Sequence, residues 1–442
     1  MISTAIQGNT YTREPGSTDV RAMSIATMLF FMWGFLTCLN DILIPHLKGI
    51  FELSYGKVLL VQFAFFTSYF VFALPAGKVV EWRGYKQTMV IGLLVMATGA
   101  LLFLPASAMA SFAMFLTALV VLAAGITCLQ VAANPYVTNL GPQRTAASRL
   151  NLSQAFNSLG TTIAPIFGGW LILSGTTITP EKMHSLSAAL LQTYRQEQAS
   201  SVRLPYLGIA MALILLAIAI ALVKLPPTDF TRDFRPGDLQ TGPGTGSIWN
   251  EPYLLMGALG IFVYVGAEVS IGSFLVNYFG LPGVGGLTEK SAAHYVSFYW
   301  GGAMIGRFIG SAILQRVRAG VLLGIAAIVA CCLVVTSILT HGNVAMWSII
   351  AVGLFNSVMF PSIFTLGLAE LGPLTSKGSS LMVAAIVGGA ILPLAEGILA
   401  DHIGVQHAFT LPAVCYIYIA LFGFIAAKRG SLVPAETPVM EV

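Results

Sequence analysis

Residues 63–100 read Phe63-Ala-Phe-Phe-Thr-Ser-Tyr-Phe-Val-Phe-Ala-Leu-Pro-Ala-Gly-Lys78-Val-Val-Glu-Trp-Arg83-Gly-Tyr-Lys86-Gln-Thr-Met-Val-Ile-Gly-Leu-Leu-Val-Met-Ala-Thr-Gly-Ala100. Two apolar runs flank a short turn that carries Lys78, Glu81, Arg83 and Lys86. A helix needs about 20 apolar residues to cross a bilayer. Extended to 57–79 and 88–105, both runs reach that length. The pattern recurs along the chain. It predicts twelve spans, at 23–46, 57–79, 88–105, 112–137, 148–174, 204–225, 252–279, 291–314, 319–339, 345–368, 379–400 and 408–427. The expected fold class is an all-α membrane protein. Composition agrees, with 56% hydrophobic and 9% charged residues, against roughly 25% charged in soluble domains. The 45 glycines and 21 prolines suit a bilayer, where small residues let helices approach and neighbours satisfy freed backbone groups.

Segment 226–251 contains Pro226-Pro227 and Thr241-Gly-Pro-Gly-Thr-Gly246. It reads as a flexible linker between a six-span half at 1–225 and a second six-span half at 252–442. Lys and Arg collect on the cytoplasmic side of membranes. With the N-terminus inside, 15 of the 22 fall on inner segments, 6 on outer loops, and Arg307 within a span. Both termini are therefore expected in the cytoplasm. The outer loop at 175–203 is polar, and a short amphipathic helix is expected from Glu181 to Gln198. A net charge of +4 without a basic patch among aromatics excludes a nucleic-acid partner. The five cysteines lie in apolar segments without metal spacing and read as core. The first 22 residues lack the parts of a signal peptide, so the first span is expected to be retained. No cofactor is expected. The expected partners are a small solute and membrane lipid, and the chain is expected to be a monomer.

Two six-span halves joined by an inner linker follow the plan of transporters built from repeats, with a solute site near the midplane. Ionisable residues inside spans are costly and mark candidate sites. Asp41, beside Asn40 and ahead of Pro45 and His46, can take up a proton or hold sodium, and is the candidate metal ligand. Its structural alternative is a cap or a pair with another helix. Gln130 and Asn134 lie in span 4, and Gln154, Asn157 and Ser158 share a face of span 5 at spacings of three and four. Amides donate and accept, as sugar hydroxyls do, so Gln130, Gln154 and Asn157 are solute candidates. The alternative is interhelical bonding. Glu268 reads as the one carboxylate deep in the second half. It can bind solute hydroxyls, serve in coupling, or pair with a cation. Tyr299 or Trp300 can stack on a sugar ring, Arg307 reads as a structural pair, and Asn356 is a further solute candidate.

The loop Gly77-Lys-Val-Val-Glu81-Trp-Arg83-Gly84-Tyr-Lys86 resembles the signature loop of the major facilitator superfamily, with Trp82 and Tyr85 where basic residues are usual. Leu39-Asn-Asp-Ile-Leu-Ile-Pro45, Ala132-Ala-Asn-Pro-Tyr-Val-Thr138, Arg149-Leu-Asn-Leu-Ser-Gln-Ala-Phe-Asn-Ser158 and Phe360-Pro-Ser-Ile-Phe-Thr-Leu-Gly367 resemble the bacterial fucose permease family. Gln154-Ala-Phe-Asn-Ser-Leu-Gly-Thr-Thr162, Gly257-Ala-Leu-Gly-Ile-Phe262 and Tyr299-Trp-Gly-Gly-Ala-Met304 are closer to its glucose/galactose branch. The resemblance implies the major facilitator fold, sugar–cation symport by alternating access, and a bacterial inner membrane. It implies Asp41, with Asn40, as the cation-coupling group. Gln130 stands where the fucose–proton symporters carry a glutamate, and Glu268 where they carry a glutamine. That departure unsettles a two-carboxylate proton relay and places sodium slightly ahead of the proton as the expected coupling ion. Glucose or galactose is the expected solute, with proton-driven uptake of fucose or N-acetylglucosamine as the alternative. Neither a nucleophile–base pair nor a metal set points to an enzyme.

Overall fold

The computed structural model describes residues 18–51, 55–109, 111–171, 190, 203–226 and 247–429, without the side chains of Thr37, Gln62, Arg429, 39–60 and 165–171. The N-terminal tail, the expected helix at 181–198 apart from position 190, and most of the 226–251 linker lie outside these residues. The helices are α1 (Val20–Phe51), α2 (Tyr55–Ala108), α3 (Phe112–Thr138), α4 (Ala146–Leu171), α5 (Arg203–Leu222), α6 (Pro252–Gly280) and α7 (Glu289–Ile313). They continue as α8 (Ala319–Leu339), α9 (Gly342–Asn356), α10 (Met359–Leu368), α11 (Thr375–Ala384), α12 (Gly388–Ile403), α13 (Val405–Ala408) and α14 (Thr410–Arg429). No strand occurs among the described residues. Eight helical segments there are long and apolar enough to cross a membrane, and the described part of each expected span is mainly helix.

Helix α2 holds two of the expected spans, joined at Gly84, whose φ of 78° is open to glycine at little cost. Two spans expected to be continuous are broken. The first breaks at Ser357–Val358, between α9 and α10. Pro361 four residues on cannot donate to the carbonyl of Ser357 and crowds it. The second passes through a short 3₁₀ turn at Ala385–Val387, just before Gly388, Gly389 and Pro393. Hydropathy is blind to such breaks, because the residues stay apolar.

Small residues set the closest helix contacts. A Cβ on Gly99 of α2 would lie 2.5 Å from the backbone nitrogen of Leu122 on α3. A Cβ on Gly160 of α4 would lie 2.3 Å from the carbonyl of Phe31 on α1. Large apolar side chains such as Phe70, Leu215, Leu394 and Ile417 stay exposed on the outside of the bundle. In water they would form an aggregating patch; in a bilayer they meet hydrocarbon.

Helices before residue 227 meet those after residue 246 along a seam. At the end rich in Lys and Arg the seam is closed by hydroxyl–carbonyl bonds. Ser376 donates to the Gly77 carbonyl at 2.9 Å and Ser379 to that of Val131 at 2.9 Å. Ser148 donates to the Ser311 carbonyl at 2.7 Å, and Ser311 Oγ stands 3.1 Å from that of Ser148. Gly77 is packed so tightly that a Cβ there would sit 1.8 Å from Ser380 Oγ and 3.0 Å from its Cβ. Gly77→Leu should therefore force this end apart. Overpacking typically costs about 1–3 kcal/mol, enough to move the equilibrium roughly tenfold. Spin labels at Lys78 and Lys377, in a chain freed of native cysteines, should show a longer-distance population in pulsed electron resonance. An unchanged distribution would show that this contact does not hold the end closed.

Candidate functional site

The site is built on α4, α6 and α7, with α2 and α3 behind it. On α4, Asn151, Gln154 and Ser158 follow at spacings of three and four and so share a face. Asn151 donates its side-chain amide to the Arg307 backbone carbonyl at 2.8 Å. Ser158 Oγ accepts a short hydrogen bond from Arg307 Nη1. Gln154 lies between these two contacts, on the face of α4 turned to α7. It is buried and makes no hydrogen bond among the described residues. Gln130, on the neighbouring α3, is buried and donates Nε2 to the Tyr69 hydroxyl of α2 at 3.0 Å.

Arg307 is the charged centre. Its Nη2 lies 3.9 Å from Glu268 Oε1, and the two side chains are 15% and 13% exposed. Arg307 thus joins a carboxylate on α6 to a hydroxyl on α4, on the far side of the seam. The pair is loose: Glu268 Oε1 and Arg307 Nε are both buried without a hydrogen bond. Unspent hydrogen-bonding capacity at partial burial suits a polar ligand.

Behind Glu268 lies a closed network. Asn356 donates Nδ2 to Tyr299 Oη at 2.9 Å and accepts from Tyr416 Oη at 2.8 Å. Its backbone carbonyl accepts from Tyr264 Oη at 3.0 Å. The Tyr299 hydroxyl reaches the Glu268 backbone carbonyl at 3.4 Å. All four residues are fully buried.

The placements refine the expectations residue by residue. Gln130, Gln154 and Glu268 stand on helices that pack around the seam. Asn157 turns to α1 instead, where Nδ2 donates to the Phe30 carbonyl at 2.9 Å. Tyr299 was expected to stack on a solute and Asn356 to contact it. In this conformation both are sealed inside, and their side-chain groups are used within the network. Trp300 is half-exposed beside Gly272. The side chains of Asn40, Asp41 and His46 lie outside the described residues. Glu268 is not the one carboxylate of the second group: Glu396 on α12 is fully buried as well. The signal that drew attention to Asp41, an acid within an apolar span, was present for Glu396 too. Tyr69 was missed because a tyrosine in a span reads as apolar bulk until its hydroxyl finds a partner. Among the described residues no three His, Cys, Asp or Glu side chains gather to hold a metal.

An all-helical, membrane-crossing bundle with a polar, charged site on its seam defines a membrane transporter, not an enzyme. The chain belongs to the major facilitator superfamily, whose family model matches residues 23–380. It is 52% identical over 407 residues to the glucose/galactose transporter of Brucella abortus biovar 1 (strain 9-941), covering 92% of this chain and 94% of that one. It is 33% identical over 431 residues to the L-fucose-proton symporter of Escherichia coli (strain K12), covering 96% and 98%. Its fold is similar to the crystal structure of a major facilitator superfamily transporter, FucP, in the outward conformation. The TM-score is 0.85 at 33% identity, over 92% of this chain and 99% of that one.

Arg307→Met would leave Glu268 buried without its cation. Breaking such a pair typically costs about 3–5 kcal/mol, and partial exposure puts this case near the lower figure. The midpoint of heat denaturation in detergent should fall. Adding Glu268→Gln should restore most of the loss. If the double variant melts no higher than the single one, the two side chains are not energetically coupled.

Proposed function

We propose that the protein is a sugar symporter that takes up glucose or galactose with a coupling cation by alternating access. The observation that carries this is the set of polar groups at the seam: Glu268 and Arg307 with bonding capacity left over, Gln154 buried on the same face, and Gln130 oriented by Tyr69. Amides that donate and accept, beside a loosely paired carboxylate, match the hydroxyls of a hexose. The relative from Brucella abortus, named a glucose/galactose transporter, supports the hexose. Apolar drugs would call for a site of aromatics and methionines instead.

In this reading Gln130, Gln154 and Glu268 bind sugar hydroxyls, and Asn157 steadies α4 against α1. Tyr299 and Asn356 hold Glu268 from behind and join the sugar only in another conformation. Asp41, with Asn40, is the coupling group of the first half. We assign the proton as coupling ion, a change from the sodium expected on the Gln130 departure. Its support is the relative of Escherichia coli, named a proton symporter. We further propose that the two groups of helices rock as halves about the seam. The membrane is the bacterial inner membrane, with both termini in the cytoplasm, as the Lys/Arg asymmetry favours. The closed, basic end then faces the cytoplasm, and the structure is an outward-facing state. Coupling requires that cation and sugar together favour a transition that either alone does not.

Uptake of radiolabelled glucose into proteoliposomes tests this. A pH gradient, acid outside, should drive accumulation without sodium, and Asp41→Asn should lose it. Accumulation driven by sodium alone would return the coupling ion to sodium. Accumulation of another sugar and not of glucose would overturn the hexose assignment. A second prediction concerns Gln130. Tyr69→Phe removes its partner, a bond worth about 1 kcal/mol, so sugar affinity should fall roughly fivefold. The maximal rate should hold. Unchanged affinity would place Gln130 outside the site.

A further inference from the structure

Glu396 sits in α12, a helix with no role in the site so far. Its side chain is fully buried, and neither carboxyl oxygen has a hydrogen bond. The packing identifies what faces it. A Cβ on Gly388 would meet the carbonyl of Phe262, and one on Gly266 would meet Leu392. A Cβ on Gly397 would touch Phe274. The contacts advance in the same direction along both chains, so α6 and α12 run parallel. One turn beyond Gly266 and Leu392 stand Ser270 and Glu396. The Ser270 hydroxyl is likewise buried without a partner among the described residues. Other groups complete the surroundings. Cys415 comes from α14 and Tyr299 from α7. From α2, Phe66 packs on Gly389. His402 on α12 and His407 on α13 are exposed at its far end. No cation pairs with Glu396 among the described residues.

An ionised carboxylate does not persist in such a place unless paired; a neutral acid does. One carboxyl facing one hydroxyl is too few oxygens for a metal cation, which takes six or more for calcium and magnesium. A proton fits. We propose that Glu396 is a second proton-binding residue of the transport cycle, placed in the second half, which keeps its proton while α6, α12 and α14 enclose it. Ser270 Oγ, buried without a partner among the described residues, is the acceptor to which the acid O–H can turn. The helix supplies a means of release. The 3₁₀ turn at Ala385–Val387 separates α11 from α12, and Gly388, Gly389 and Pro393 follow it in the part of α12 that leads to Glu396. A hinge here can turn the carboxyl toward water, where the acid becomes carboxylate and hydronium. Tyr299 neighbours both Glu396 and Glu268, so it is the group through which a change at Glu396 can reach the sugar site. Interrupted helices that carry a coupling ion near the solute are a recurring transporter device.

The proposal rests on the symport reading above, and its test has an arm that does not need transport. Infrared spectra of the purified Asp41→Asn variant, which lacks the other proton-binding acid, should show the carbonyl stretch of a protonated carboxylic acid, shifted in heavy water. Glu396→Gln should remove that band, Glu268→Gln should keep it, and Ser270→Ala should move it to higher frequency. In proteoliposomes Glu396→Gln should keep sugar exchange at equilibrium. Accumulation under an imposed difference of one pH unit should fall about tenfold, the loss of one coupled proton. A band that survives Glu396→Gln, or accumulation equal to wild type in that variant, overturns the proposal. If Glu396→Gln does not fold, the Ser270→Ala band decides, and an unshifted band counts against it. Failure of the wild type to move any sugar would sink the symport reading and leave the infrared result standing.

Discussion

A guanidinium at membrane depth has to be neutralised where it stands, because lipid cannot solvate it. Arg307 meets this constraint from two helices at once. Glu268 on α6 supplies charge, and Ser158 on α4 supplies a hydroxyl from the other side of the seam. Asn151 holds the Arg307 backbone on the same face of α4. The arrangement ties the two groups of helices together by polar contacts, beside the apolar pair Phe156 and Phe308. Such a tie can open, since each partner stays near other polar groups. Neutralisation is incomplete as well: the contact is 3.9 Å, and buried capacity is left over on both sides. A fully satisfied pair would be structural ballast. This one is poised for a ligand that brings hydroxyls.

The remaining polar groups divide by how far they are satisfied. Tyr264, Tyr299, Tyr416 and Asn356 bond to one another and to backbone, and they form a rigid back wall. Buried networks of this kind specify one packing when complete. Ser148, Ser311, Ser376 and Ser379 bond across the seam to backbone carbonyls. The Val131 carbonyl that Ser379 meets has no helical donor, because Pro135 stands four residues on. Rigid elements and reversible contacts are thus separated in space, as a carrier that exposes one site to two sides requires.

Much of the fold was legible in the sequence, because one physical quantity decides it. The length of an apolar run fixes whether a helix crosses hydrocarbon, and positions 63–105 show two such runs around a basic turn. The broken helices at Ser357–Val358 and Ala385–Val387 were not legible from hydropathy. Pro361, Gly388, Gly389 and Pro393 carried that information in a different form. At the site, spacing put Gln154, Asn157 and Ser158 on α4 together, yet spacing does not say which neighbour each one meets. Asn157 faces α1 and Ser158 faces α7, a difference of one residue in register. Tyr299 and Asn356 drew attention as polar groups at depth. Their bond to each other, and the bonds of Asn356 to Tyr264 and Tyr416 from two other spans, are a tertiary fact that no single span reveals. Glu396 offers the same signal as Asp41, an acid inside an apolar span, but hydropathy does not say which neighbours enclose it.

The most direct test of cation-coupled sugar transport is electrical. Proteoliposomes adsorbed on a solid-supported membrane should give a transient current on a jump in glucose concentration. Its sign should be that of positive charge entering with the sugar. It should appear in sodium-free buffer and shrink as the external solution is made alkaline. A glucose jump that moves sugar without current, or a current that requires sodium, would contradict proton-coupled symport.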